Sequence, residues 1–420
     1  MAELRFLDLF AGAGGLSEGF IQAGFKPVAH IESDKAACFT LQTRMAYHWF
    51  KSTNNQHIYV DYLKGKLSRT EFYKKIPECI TKTIINKEIS ENSLKNIFSV
   101  IDELLENVSL DLIIGGPPCQ AYSLVGRACD SNKMLGDERN YLYKFYGEFL
   151  KRYQPKYFVF ENVVGLLSAK DIHGRYYFHE MRKLFKELGY ETEYRVLNAH
   201  DYGVLQARKR IILVGKRGSD TGFYPQLKIE IPHACVNEIF ADLPIIHAGG
   251  GSVRTCKTRK YSGQWLYDSG IKNDDIPITW HIARPLNYQD SVIYRIASEL
   301  WNKEGKRLEY NDLPENLKTH KNRTSFTDRF KVVAGDLSAS HTVLAHLAKD
   351  GHYYIHPDSK QNRSITPREA ARLQTFPDDY YFEGVTEKPS RTAAFRQIGN
   401  AVPVMLARKI AENLKENWYE

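Results

Sequence analysis

The chain has 420 residues, 43% hydrophobic and 26% charged, the balance of an ordinary soluble protein with room for two domains. No apolar run approaches the length of a membrane span, and the N-terminus lacks a signal peptide's charged start and apolar core, so no membrane association and a cytoplasmic location are expected. The six cysteines are scattered without C-x-x-C pairs, which argues against a disulfide framework or zinc site, and the net charge of +8 permits a polyanionic partner.

Arg5 to Phe10, R-F-L-D-L-F, reads as a first strand. It runs into Ala11 to Ser17, A-G-A-G-G-L-S, and then a helical pattern through Phe20. A strand, a glycine-rich turn and a helix N-terminus make a nucleotide-binding corner, because free N–H groups and the helix dipole meet there. The spacing departs from the dinucleotide fingerprint, since Ser17 stands at the third glycine position after Gly12 and Gly14. Val28 to Ile31 reads as a second strand. Glu32 follows it about 20 residues after the loop, where a carboxylate accepts hydrogen bonds from ribose hydroxyls. Ile58 to Val60 reads as a third strand with Asp61 at its end. Residues 62–109 are polar, rich in Lys and Glu, and helical in period, which predicts a helical insertion on the surface.

Asp111 to Ser123, D-L-I-I-G-G-P-P-C-Q-A-Y-S, organises the rest. Leu112 to Ile114 has the length of a buried strand. Pro117 and Pro118 fix φ and remove N–H donors, so Cys119 sits on a stiff, non-helical turn, a good mount for a nucleophile. Residues 120–141 are polar and predict a lid. Tyr157 to Phe160 reads as a strand ending in Glu161, Asn162 and Val163. Two more strands follow, near Thr192 to Leu197 and Arg210 to Val214, with Q-A-R-K-R between them. The glycine loop, Glu32, Asp61, Cys119 and Glu161 each follow the carboxyl end of a predicted strand. Ligands of open parallel sheets bind along that edge, so a single active site is expected there.

From about Lys216 to Lys360 strand–helix alternation fades. Basic and aromatic residues interleave in Arg254 to Tyr261 and in His320 to Phe326, a composition suited to phosphate and base contacts. Arg363 to Pro377, R-S-I-T-P-R-E-A-A-R-L-Q-T-F-P, starts a helix at Thr366-Pro367. Gln397 to Pro403, Q-I-G-N-A-V-P, precedes an amphipathic C-terminal helix.

G-P-P-C-Q-A-Y-S resembles the nucleophile motif of cytosine-5 DNA methyltransferases of the bacterial restriction-modification type. Other motifs of that family appear in its order from residue 6 to residue 403. The resemblance implies an α/β fold, a Rossmann-like S-adenosylmethionine-dependent methyltransferase sheet with a smaller, irregular target-recognition domain. Residues 1–215 would form the catalytic and cofactor-binding domain, 216–360 the target-recognition domain, 361–390 a hinge of mainly architectural role, and 391–420 a segment returning to the catalytic domain. For S-adenosylmethionine it implies Phe10 against the adenine, Gly12 and Gly14 near the methionine part, and Gly15, Leu16 and Pro118 beside them. It adds Glu32, Asp61 at the adenine amine, Leu142, and Asn400 with Val402 near the methionine end. Thr342-Val343 resembles a small Thr-aliphatic element of the family. The implied partner is double-stranded DNA, bound by a nucleoid-associated monomer, with a cognate restriction endonuclease that forms no stable complex with it.

The implied chemistry is covalent. Cytosine carbon 5 is a poor nucleophile until a thiolate adds to carbon 6, so Cys119 is the expected nucleophile, Glu161 the group at ring nitrogen 3, and Arg210 with Arg208 the partners of the ring carbonyl. A free thiol is mostly protonated at neutral pH, so the site should activate it. Alternatives within reach of the same residues are a tRNA cytosine-5 methyltransferase, a catalytically inactive DNA-binding protein, and a nicotinamide oxidoreductase using the glycine loop. Intact Cys119 and Glu161 disfavour the second; the missing third glycine and the P-P-C turn disfavour the third.

Overall fold

The computed structural model describes residues 3–118, 141–218, 221–319, 321–325 and 327–418. Its centre is a seven-stranded sheet of β1 (Arg5–Leu9), β2 (Lys26–Glu32), β3 (Ile84–Asn86), β4 (Leu112–Gly115), β5 (Tyr157–Asn162), β6 (Tyr190–Asn198) and β7 (Lys209–Arg217). The spatial order is β3-β2-β1-β4-β5-β7-β6. The first five strands are parallel, and β7 runs antiparallel to both β5 and β6. The chain moves from β1 outward to β3, then crosses back to β4 on the other side of β1. The carboxyl ends of β1 and β4 therefore flank the topological switch point, where open α/β sheets bind ligands.

Apolar runs fill both faces. Leu7, Leu9, Ile31, Ile113, Phe158 and Phe160 belong to one core cluster, and Phe6, Leu112, Ile114, Val159 and Ile212 to another, as period-two alternation in a sheet covered on both sides requires. Helix α1 (Gly15–Gln22) follows the glycine loop, and the C-terminal helix Val404–Glu416 packs along it. A Cβ on Gly19 would stand 2.5 Å from that of Ala407, so only glycine permits the approach. Residues 221–360 carry little regular structure. They hold a two-residue pairing of Gly251–Ser252 with His281–Ile282, a helix Tyr288–Glu304, and a small core around Tyr294, Tyr310, Phe330 and Ile355.

Two expectations change. The third strand is not Ile58 to Val60. That run lies in helix α3 (Gln56–Leu63), where Tyr59, Tyr62 and Leu63 are buried at helical spacing. Three apolar residues cannot distinguish the two periods. The strand is Ile84–Asn86, inside the stretch expected to be a surface insertion. Helix α6 (Glu91–Leu105) then covers the sheet with Ile97, Ile101 and Leu105 as the crossover to β4. The added material is α3, α4 (Arg69–Tyr73) and α5 (Glu78–Thr81), and it is not peripheral. Tyr59, Tyr62 and Phe72 share a core with Phe376, Tyr381 and Phe382. Among the described residues no helix is long and apolar enough to cross a membrane, and no group of His, Cys, Asp and Glu could hold a metal ion.

Candidate active site

At the end of β1 the backbone turns through the left-handed region three times, at Phe10 (φ 59°), Gly12 (55°) and Gly14 (83°). Phe10 has a Cβ and bears strain of about 1–3 kcal/mol, a cost usually found where function fixes the backbone. Gly12 donates its N–H to Glu32 Oε2 at 2.8 Å, and Glu32 Oε1 accepts from the N–H groups of Ser33 (2.8 Å) and Asp34 (2.7 Å). The two strand ends are thus laced by one carboxylate. Nothing lies within 4 Å of where a Gly12 Cβ would stand, so the loop is open above that residue. Helix α1 begins at Gly14 without a side-chain cap, leaving its first N–H groups free of one. Gly15 is pressed from the other side: a Cβ there would meet the Val402 carbonyl at 2.6 Å. Leu16 and Val402 are buried, and Asn400 is exposed at the end of the helix Arg391–Asn400.

Asp61 is not on this edge. It sits on α3, half-exposed, paired with Lys66 at 2.8 Å. The acidic residue at the end of β3 is Glu88, which is exposed. Its neighbours fasten it beside Glu32: the Lys87 N–H donates to the Glu32 carbonyl at 3.0 Å, and Asn86 Nδ2 donates to the same carbonyl at 3.1 Å. Sequence reasoning missed Glu88 because a two-isoleucine strand is faint. The N-K-E that follows it, just before the Ser90 cap of α6, was the available signal.

On the other side of the switch point the strand ends nearly touch. A Cβ at Gly115 (φ 143°) would lie 2.0 Å from the Leu9 carbonyl oxygen, and one at Gly116 would lie 2.3 Å from that of Glu161. Both glycines are therefore required. Asn162 Nδ2 donates to the Pro117 carbonyl at 3.2 Å and so holds the turn that leads through the exposed Pro118 to Cys119. Cys119 and the expected lid up to residue 140 lie outside the described residues. Leu142, half-buried, opens the helix Leu142–Tyr153. Glu161 Oε1 accepts from Arg210 Nε at 2.7 Å, with 16% and 11% of the two side chains exposed. Burial pushes the Glu161 carboxyl above its usual value, against the pull of the Arg210 and Arg208 guanidinium groups.

Arg208 departs from expectation. It is fully buried and donates to the carbonyls of Val343 (2.6 Å) and Gly399 (3.0 Å), so its guanidinium is committed to backbone and not turned to the open edge. Beside it, Thr342 Oγ1 donates to the Ala207 carbonyl at 2.6 Å and the Val343 N–H to Gln206 Oε1 at 2.8 Å. Arg254 is likewise occupied. It donates to the Tyr62 carbonyl at 2.9 Å and lies over the rings of Tyr62 and Tyr381.

The pattern of C-5 cytosine-specific DNA methylases matches residues 4–66 and 65–416. The chain belongs to that family. It is 39% identical to the type II methyltransferase M.Bpa9945I of Bacillus paralicheniformis, over 98% of each chain. It is 31% identical to M.DdeI of Desulfomicrobium norvegicum, over 99% of this chain and 89% of that one. Among solved structures, an Escherichia coli DNA modification methyltransferase encoded within a prophage superposes with a TM-score of 0.62 at 23% identity, covering all of both chains. The Entamoeba histolytica methyltransferase EhMeth gives 0.56 at 14%, again over both whole chains. These two share the fold.

As a member of the C-5 cytosine-specific DNA methylase family, the chain is expected to use S-adenosylmethionine, and the loop fits it. The open space above Gly12, the uncapped start of α1, and two carboxylates, Glu32 and Glu88, along one edge suit a ligand with a cationic methionine part and hydroxyl and amine donors.

Proposed function

We propose that this protein is a DNA (cytosine-5) methyltransferase that methylates carbon 5 of a cytosine rotated out of a specific duplex sequence, as the modification half of a restriction-modification system. The observation that carries the reading is the Glu161–Arg210 pair, which stands on the same sheet edge as the glycine loop with one strand, β4, between them. The bound S-adenosylmethionine supplies an electrophilic methyl group on sulfonium sulfur. Phe10, Gly12, Gly14, Gly15, Leu16, Glu32, Pro118, Leu142, Asn400 and Val402 would hold it, with Glu88 in place of Asp61 at the adenine amine.

The Cys119 thiolate adds to carbon 6 of the target ring and makes carbon 5 an enamine nucleophile. Glu161, its carboxyl pushed up by burial, gives a proton or a hydrogen bond to ring nitrogen 3 and offsets the developing charge. Arg210 orients Glu161 and faces the ring carbonyl. Loss of the carbon 5 proton to solvent and expulsion of Cys119 then complete the turnover. Rotating the base out costs a few kcal/mol, which contacts from residues 216–360 to the remaining duplex must offset.

Bisulfite sequencing of duplex DNA incubated with the protein and S-adenosylmethionine should show protected cytosines at one short sequence. Duplex carrying 5-fluorocytosine at that position should form a denaturant-stable adduct, because fluorine cannot leave as a proton does. Cys119→Ser should form none. Methylated tRNA with unmodified DNA would overturn the substrate, and an adduct persisting in Cys119→Ser would overturn the nucleophile.

A further inference from the structure

The segment 376–383 reads in the sequence as part of an architectural hinge, yet in the fold it lies directly behind the glycine loop. Tyr380 is buried and donates its hydroxyl to the carbonyl of Ala13, between the two left-handed glycines. Gly14 is fitted to the same group: a Cβ there would stand 2.9 Å from Tyr380 Oη and 2.8 Å from Leu41 Cδ2. The Tyr380 ring is itself fixed. The Arg44 guanidinium lies 4.8 Å over it, and Arg368 Nη2 donates to its carbonyl at 2.7 Å. Arg44, on helix α2 (Lys35–Ser52), also grips Glu18 of α1 at 2.6 and 2.9 Å and Asp379 at 2.6 Å. Tyr380, Arg44, Arg368, Glu18 and Asp379 are all buried. The loop and its helix are thus clamped from behind by one plate whose one hydrogen bond to the loop backbone, among the described residues, comes from the Tyr380 hydroxyl.

We infer that Tyr380 is a positioning residue for the cofactor, holding the Ala13 carbonyl so that the first turn of α1 presents its uncapped N–H groups to S-adenosylmethionine. The inference rests on the family's cofactor. Replacing the phenol by phenyl leaves a buried carbonyl without its donor, and the loop must turn to find another.

The test uses the full-length protein and S-adenosylhomocysteine in calorimetry. Tyr380→Phe should weaken its binding about tenfold and raise the KM for S-adenosylmethionine by the same factor. The kcat at saturating cofactor and the affinity for duplex DNA should stay within roughly twofold of the unaltered enzyme. A merely structural role would instead lower the active fraction, and so kcat, while leaving KM alone. A folded Tyr380→Phe protein that binds S-adenosylhomocysteine as tightly as the unaltered enzyme would overturn the inference. Should that variant not fold, hydrogen exchange on the unaltered protein decides. S-adenosylhomocysteine should slow exchange in residues 376–382 as well as in 10–18, and protection confined to the loop would overturn the inference. An unaltered protein that binds no S-adenosylhomocysteine would overturn the cofactor assignment itself, a separate failure.

Discussion

Along the carboxyl edge of the sheet, position is set by backbone. The Gly12 N–H meets Glu32, the Lys87 N–H meets the Glu32 carbonyl, and Gly115 and Gly116 let neighbouring strands approach closer than any side chain would allow. Between residues 221 and 360 position is set by a few buried arginines reaching in from one short helix, Pro367–Leu373, and the segment leading to it. Arg363 donates to the Ile246 carbonyl and forks onto Glu369 at 2.7 and 2.8 Å. Arg368 donates to the Thr279 carbonyl, and Arg372 to the Ile239 carbonyl, to Asp242 and to Asp378. The first arrangement tolerates almost no change at its contact points. The second leaves most of the intervening chain free so long as the anchors hold, which suits a region proposed to differ from one target sequence to the next.

The two regions should therefore fail differently. The largest effect is expected at the edge: Glu161→Gln keeps the shape but cannot transfer a proton, and single-turnover methylation should fall by about 100- to 10,000-fold. S-adenosylhomocysteine binding should be nearly unchanged. A variant within a few-fold of the unaltered rate would remove Glu161 from the chemistry. Next comes the anchor. Arg372→Ala removes both close hydrogen bonds to the buried Asp378 and leaves the buried Asp242 with Lys272 alone, and urea unfolding should show a loss of about 3–5 kcal/mol. At temperatures where the variant stays folded, the cofactor site should remain intact, and equal damage to both regions would erase the contrast. Glu88→Gln should weaken S-adenosylhomocysteine binding by roughly three- to tenfold, and Asp61→Asn by less than about twofold, because only Glu88 stands on the edge. The reverse order would return the adenine contact to α3. Smallest is Arg254→Ala. Its guanidinium lies over Tyr62 and Tyr381, so a stability loss of about 1 kcal/mol is expected with no change in the salt dependence of DNA binding. A shallower salt slope would show that Arg254 touches phosphate after all.

Much of the sheet and its active edge was legible because their contacts demand particular residues. Paired glycines, a carboxylate at a strand end and a proline-stiffened turn are each chemically conspicuous. What the sequence hid were positions whose meaning depends on a distant partner. The Q-A-R-K-R run holds two arginines of similar aspect. Only the packing of Val343 and Gly399 distinguishes buried Arg208 from Arg210 on the edge. Arg254 sits in a basic-aromatic run that reads as a phosphate contact, and its rings come from residues 192 and 127 positions away. The strand β3, three residues long, was too short to stand out beside the apolar run in α3. The reversal of β7 left no mark in its composition.

That reversal has a consequence for how this enzyme can diversify. Since β7 runs against β5, its first residues lie at the same end of the sheet as the last residues of β5. Glu161 pairs with Ile212 across the ladder, which brings Arg210 to the carboxylate. A parallel β7 of the same length would carry Arg210 to the opposite edge, roughly 20 Å away. The alignment of acid and guanidinium is therefore written in strand register, not in the length of the chain joining them. Evolution or an engineer can lengthen the exposed turn at residues 172–176 without moving the pair, whereas deleting one residue inside β7 would swing Arg210 to the other face of the sheet.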